Sequence, residues 1–83
     1  MKLLSISTGV WFDISTLIAK RVGERHLYAA NMKGFWQMVE WDLNEDTVYQ
    51  TGEMFKTKSE LMLSARAEAE FWGFANDEIY VAA

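Results

Sequence analysis

Few residues in this chain have a type and spacing that could do chemistry, and His26 is the first to consider. It is the single histidine of the sequence, and its side chain titrates near neutral pH, as a general base requires. No serine or carboxylate adjacent to it in the sequence indicates a catalytic triad. A single histidine in a strand is usually structural or solvated, so His26 alone does not predict catalysis.

The acidic segment that begins at Asp42 has part of the spacing of a calcium-binding loop. Its first, third and fifth positions carry oxygen ligands, and Glu53 stands at the twelfth, where such loops place a bidentate glutamate. The sixth position is Thr47, where the tight turn needs glycine, and the flanking segments have strand patterns rather than helical ones. We therefore predict an acidic hairpin tip here, with no metal and no cofactor.

Other common catalytic patterns are missing from the sequence. The chain has no cysteine, which removes thiolate metal sites and cysteine nucleophiles. Its 5 glycines are isolated and form no phosphate-binding loop. Carboxylate pairs such as Glu68 and Glu70 are common on solvated faces. These features argue against an enzyme, and the lack of cysteine fits a reducing compartment such as the cytoplasm.

Length and residue pattern predict a single α+β domain over residues 1–83. No proline, linker or internal repeat divides the chain. We expect helices packed on one face of a mostly antiparallel sheet, in the order β-α-β-β-β-α-β. The predicted elements are strand 1–7, helix 14–22, strands 25–31, 35–43 and 47–55, helix 58–72 and strand 79–81.

The first predicted helix follows Asp13, a residue suited to the N-cap. Ile14, Leu17, Ile18 and Val22 then recur at helical spacing, and a helix can end at the glycine that follows them. The apolar stretch 10–14 could instead extend the first strand.

The second predicted helix has the stronger local signals. Thr57 and Glu60 match a capping box, and Gly73 stands where the helix should stop. Its inner face is formed by apolar residues at helical spacing, namely Leu61, Met62, Ala65, Ala69 and Trp72.

Several large apolar residues do not fit the predicted inner faces. In strand 35–43 the odd positions form the more apolar face, which leaves Trp36 and Met38 on the opposite side. In the second helix, Leu63 and Phe71 point away from the inner face. If the two sets are contiguous and exposed, they mark a surface for a partner or for self-association; if a second layer covers them, they are ordinary core.

The charge of the chain weighs on which macromolecule it could bind. Net charge is −4, from 8 basic and 12 acidic residues, and this balance opposes the phosphate neutralisation on which nucleic-acid affinity depends. Most bases lie in the N-terminal half, where four of them could still form a local patch. This alternative, a small DNA- or RNA-binding protein, would use Lys20, Arg21, Arg25 and Lys33.

From Gly34 onward the chain resembles small phage-encoded inhibitors of host machinery, in particular the short podovirus inhibitor of bacterial RNA polymerase. The resemblance rests on the strand segment 35–40, which reads F-W-Q-M-V-E, followed by a hairpin, an alanine-rich helix, a glycine and a closing strand. It implies a compact protein that blocks a host target. That inhibitor uses arginines near its final strand and segment 79–83 has none, so we transfer no functional residues.

Together these features predict a non-enzymatic protein-binding module, and the resemblance implies a phage-encoded inhibitor of a host defence, transcription or nucleic-acid-processing protein. No apolar run is long enough to span a membrane, so we expect a soluble protein of the host cytoplasm, and homodimerisation is compatible with its small core. The predicted partner-binding residues are Trp36, Met38, Glu40, Asp42, Leu63, Arg66, Glu70 and Phe71.

Overall fold

The computed structural model describes residues 2–4, 9–21, 24–45 and 47–80. Five strands form one sheet in the order β1-β2-β3-β4-β5, with every neighbouring pair antiparallel. The α+β class with a mostly antiparallel sheet is thus confirmed, although the order of elements differs from the predicted one. The elements are β1 Lys2–Leu4, β2 Trp11–Arg21, β3 Arg25–Met32, β4 Phe35–Asp42, β5 Thr47–Phe55, α1 Lys58–Phe71 and a 3₁₀ turn Asn76–Glu78.

The first predicted helix is wrong, because residues 11–21 form strand β2. Two β-bulges interrupt its pairing with β3, one between Ile14 and Thr16 and the other between Leu17 and Ala19. Each extra residue breaks the strict alternation of a strand, so buried side chains recur at irregular intervals that imitate helical spacing. The proposed end of that helix at Val22 and Gly23 lies outside the described residues.

The central hairpin of β3 and β4 has a two-residue loop, Lys33–Gly34. Gly34 has a φ of 90°, which glycine adopts without the strain that a side chain would add. The register that follows places Met32 opposite Phe35 and Arg25 opposite Asp42.

Both faces of the sheet carry buried side chains, rather than only the odd face of β4. The face under α1 belongs to the larger cluster, which includes Ile18, Leu27, Ala29 and Met38. On the other face a second cluster is covered by the partly buried side chains of Leu3, Tyr28, Met32 and Trp41. Its buried members are Phe12, Ile14, Ala30, Val39 and Val48.

Helix α1 is capped at both ends by the residues that the sequence indicated. The hydroxyl of Thr57 accepts the backbone N–H of Glu60 at 3.2 Å, the first of the two capping-box bonds. At the other end Gly73 has a φ of 90°, and Phe74 N–H donates to the carbonyl of Ala69 at 3.0 Å, as in a Schellman motif. The predicted inner face is confirmed, with Leu61, Ala65 and Ala69 fully buried and Met62 and Trp72 packed beside them.

The segment after α1 returns to the sheet. Ile79 forms an antiparallel bridge with Ala19, and Tyr80 N–H donates to the carbonyl of Ile18 at 2.9 Å. This contact is the described part of the predicted final strand, since Val81 lies outside the described residues. Residues 1 and 5–7 of the predicted first strand and Asp46 of the acidic turn also lie outside them. The chain thereby ties its last described residues to β2.

Candidate functional site

The half of the predicted partner surface that lies on the sheet does not form. Met38 is 1% exposed and belongs to the core beneath α1. Trp36 is half-buried against the same core, and the ammonium of Lys58 lies 5.8 Å from its ring centroid. These two residues occupy the helix-covered face, where Met38 is buried and Trp36 is partly covered.

The two carboxylates predicted beside them hold internal contacts instead. Glu40 is buried, and its Oε1 accepts a charge-assisted hydrogen bond from Arg25 at 3.2 Å. Asp42 Oδ1 accepts the backbone N–H groups of Asn44 and Glu45, at 3.0 and 3.2 Å, and so stabilises the β4–β5 turn. Both carboxylates predicted for the partner surface therefore make contacts within the fold instead.

The helical half of the predicted surface does come together, on the outer face of α1. Leu63 and Phe71 are 76% and 79% exposed, and Ala67 between them is also exposed. Spaced four residues apart, the three fall within an arc of about 80° around the helix; we call them the outer stripe. Glu70 is exposed beside it, and partly buried Arg66 donates to Asn76 Oδ1 at 3.4 Å.

The predicted basic group is not a single patch. Arg21 and Arg25 are opposite each other in neighbouring strands, whereas Lys33 lies in the turn at the other end of β3. Lys20 is paired with His26, and both point to the face of the sheet opposite the one that carries the two arginines. The four cations are therefore divided between two faces and two ends of the sheet.

Both arginines are engaged with the segment that follows α1. Arg21 and Arg25 place their guanidinium carbons 5.4 and 5.3 Å from the centroid of the buried Phe74 ring. Arg21 also donates to the carbonyl of Gly73 and pairs with Glu78 at 3.3 Å. Arg21 therefore forms an ion pair with an acid far along the chain, whereas Arg25 reaches the same segment only through the Phe74 ring.

A cavity of about 310 Å³ opens beside the C-terminal end of α1. We call it the Trp72 cavity; its lining residues are Arg25, Glu40, Tyr49, Gln50 and Trp72. They come from β3, β4, β5 and the helix C-cap, so no local motif could have brought them together. Only the proximity of Arg25 and Glu40 could have been predicted from the sequence, because a two-residue loop at Lys33–Gly34 sets a β3–β4 register that places them close together.

Within this cavity the polar groups are unevenly satisfied. Arg25 and Glu40 neutralise each other, and Gln50 donates its amide to Gln37 Oε1 at 2.9 Å. The indole Nε1–H of Trp72 is enclosed without a hydrogen-bond partner. A buried unpaired donor is costly, and it leaves this indole held by packing alone.

His26 lies in an aromatic cluster on the face of the sheet away from α1. Its Nδ1 is 3.2 Å from the hydroxyl of Tyr28, and the Trp41 ring meets it edge-on at 6.1 Å. Burial lowers the pKa of His26, and the nearby charge of Lys20 lowers it further. Burial also raises the pKa of Tyr28. The neutral imidazole is therefore favoured at this position.

Comparison with protein-family models, with curated proteins and with solved structures gave no match. Among the described residues, no helix has the length and apolar character needed to cross a membrane. The same ranges contain no cluster of three or more potential histidine, cysteine or carboxylate metal ligands. Any functional assignment must therefore be argued from the outer stripe and the Trp72 cavity.

Proposed function

We propose that this chain is a non-enzymatic protein-binding module that docks a partner through the outer face of α1. The observation that supports it is the outer stripe, where two large apolar side chains project from a helix whose inner face is already buried. Exposed apolar residues are informative when they form a continuous feature flanked by polar groups. Aromatic residues such as Phe71 are also typical anchors of protein interfaces.

The biological role that fits best is that of an inhibitor or adaptor acting on a host protein. The resemblance of the segment from Gly34 onward to phage inhibitors supports this role, and the net charge of −4 favours a partner with a basic surface. Transcription and nucleic-acid-processing proteins have such surfaces, because they bind phosphates.

The test is an affinity capture from host lysate with nuclease present, using the wild-type chain and a Leu63→Ser/Phe71→Ser double variant. We expect one partner protein to be recovered in stoichiometric amount by the wild type and to be lost with the double variant. A Met54→Ser variant is the matched control, because Met54 is an exposed apolar residue on β5 rather than on the helix. All three proteins should melt cooperatively before they are compared.

Two results would contradict the proposal. One is capture that is the same for the double variant as for wild type. The other is recovery that disappears on nuclease treatment, which would favour the nucleic-acid alternative instead.

A further inference from the structure

We infer that the Trp72 cavity receives an arginine side chain of the partner that docks on the outer stripe. The inference rests on the proposed function, since it specifies the chemistry of the same partner. Three properties of the cavity support it: its position, the charges around it and its aromatic walls.

The cavity adjoins the outer stripe through two consecutive aromatic residues. Phe71 belongs to the stripe and Trp72 to the cavity lining, and their rings meet edge-to-face with centroids 5.6 Å apart. A partner segment that covers Phe71 therefore reaches the cavity with its neighbouring side chains. One interface would include both features.

The charges around the cavity favour a cation. Arg25 is already matched by Glu40, so an entering group meets a neutral pair rather than a free guanidinium. At the edge, the Tyr49 hydroxyl donates to Glu45 Oε2 at 3.4 Å, and the carboxylate of Glu68 lies with the Trp72 ring beside Gly52. In the described part of the chain neither Glu45 nor Glu68 forms an ion pair, so the surroundings carry excess negative charge.

The lining itself suits a guanidinium better than an ammonium. Trp72 and Tyr49 supply two aromatic rings for cation–π contact, and arginine stacks on such rings more readily than lysine does. Glu40 and the amide oxygen of Gln50 are acceptors for its planar array of donors. The volume of about 310 Å³ has room for one long side chain with its remaining hydration.

The unpaired indole gives the site a means of adjustment. No hydrogen bond fixes the Trp72 ring, since its only polar atom has no partner. Small movements of the ring therefore break no polar contact when a side chain enters. The backbone beside it is the β5 bulge at Gly52, which places no side chain against the indole.

The test uses the intact chain and a small probe, N-acetyl-arginine N-methylamide. Its binding is followed by NMR through the indole Nε1–H signal of Trp72, assigned with a Trp72→Phe variant. We expect a saturable shift that weakens as salt is added. The citrulline analogue has nearly the same shape without the charge, and we expect it to bind at least about tenfold more weakly.

Two substitutions at Tyr49 test whether probe binding depends on the charge at the cavity or on the aromatic ring. Tyr49→Lys places a competing cation at the cavity and should abolish probe binding, whereas Tyr49→Phe keeps the ring and should retain it. Equal binding of the arginine and citrulline probes, or no Trp72 shift with either, would overturn the inference.

The same variants distinguish this inference from the proposed function. If a partner is captured and Tyr49→Lys leaves its affinity unchanged, the docking function stands and the arginine site is wrong. If the arginine probe binds as expected but no partner is lost with the Leu63→Ser/Phe71→Ser variant, the site stands and the docking function is wrong. A partner whose binding is lost with both variants would support both.

Discussion

His26 shows how a single side chain links its surroundings to the behaviour of the protein. It contacts two aromatic side chains, and its strand partner is Lys20. Both burial and that neighbouring charge disfavour the imidazolium. The group is therefore a natural probe of the face of the sheet that α1 does not cover.

We predict that His26 titrates below its unfolded value of 6.5. Because the unfolded chain then binds the proton more tightly, the free energy of unfolding falls as the pH drops from above 6.5 through the folded pKa. An NMR titration of the imidazole measures the pKa, and His26→Gln should remove this part of the pH dependence of stability. Lys20→Gln should raise the pKa of His26 partway, because burial remains. A pKa at or above 6.5 in the wild type would contradict the prediction.

The sequence predicted that two residues of the outer stripe would be exposed, but it did not predict which residues line the Trp72 cavity. Leu63 and Phe71 could be assigned to the outside of a helix because helical spacing fixes direction within one element. Glu40 could not be recognised as buried, since its burial depends on Arg25, fifteen residues away on another strand. Met38 does lie opposite the odd face of its strand, as predicted, but it is core rather than partner surface because the sheet buries both of its faces. Alternation alone cannot reveal this.

At the scale of elements, the ends of α1 were predictable and the nature of β2 was not. Capping is local, and Thr57 and Gly73 both act within a few residues of their position. The bulges of β2 are defined by its partner β3, so they leave no signal in the segment itself. The helix was predicted wrongly because the irregular spacing of apolar residues in a bulged strand resembled the 3.6-residue repeat of a helix.

We predict that Thr57→Ala lowers the free energy of unfolding by about 1 kcal/mol, because one N–H at the start of α1 loses its acceptor. Urea unfolding should show a lower midpoint with an unchanged slope. Ser59→Ala is the control: Ser59 is exposed inside the first turn and is not the N-cap. If both variants lost the same free energy of unfolding, the Thr57 cap would not be what stabilises the first turn of α1.

At the scale of the whole molecule, the closing segment after α1 connects parts that are distant in sequence. Phe74 packs in the main core, lies under two arginines and forms the C-terminal cap of α1. The ion pair of Arg21 with Glu78 joins residues 57 positions apart, and that of Arg25 with Glu40 joins neighbouring strands. The segment after α1 is therefore held to the sheet by apolar packing, by cation–π contacts and by one ion pair.

We predict that Phe74→Ala lowers stability by about 3–5 kcal/mol, since it empties a buried site. Phe71→Ala is the matched control, being the same substitution three residues earlier at a side chain that is 79% exposed, against 2% for Phe74. Its effect on stability should stay within about 0.5 kcal/mol. Similar losses for both in thermal or urea unfolding would show that Phe71 is covered in solution.

The order of strands has a consequence for how the chain acquires its structure during synthesis. Each strand pairs with the strand before it, so every hairpin can close as soon as its second half has left the ribosome. Helix α1 comes after all five strands, and Ile79 reaches Ala19 across 60 residues only at the end. Until then the apolar face formed by Leu27, Ala29 and Met38 has no cover. The nascent protein therefore presents a hydrophobic sheet to the cell, and its exposure to chaperones and aggregation is concentrated in the interval before α1 emerges.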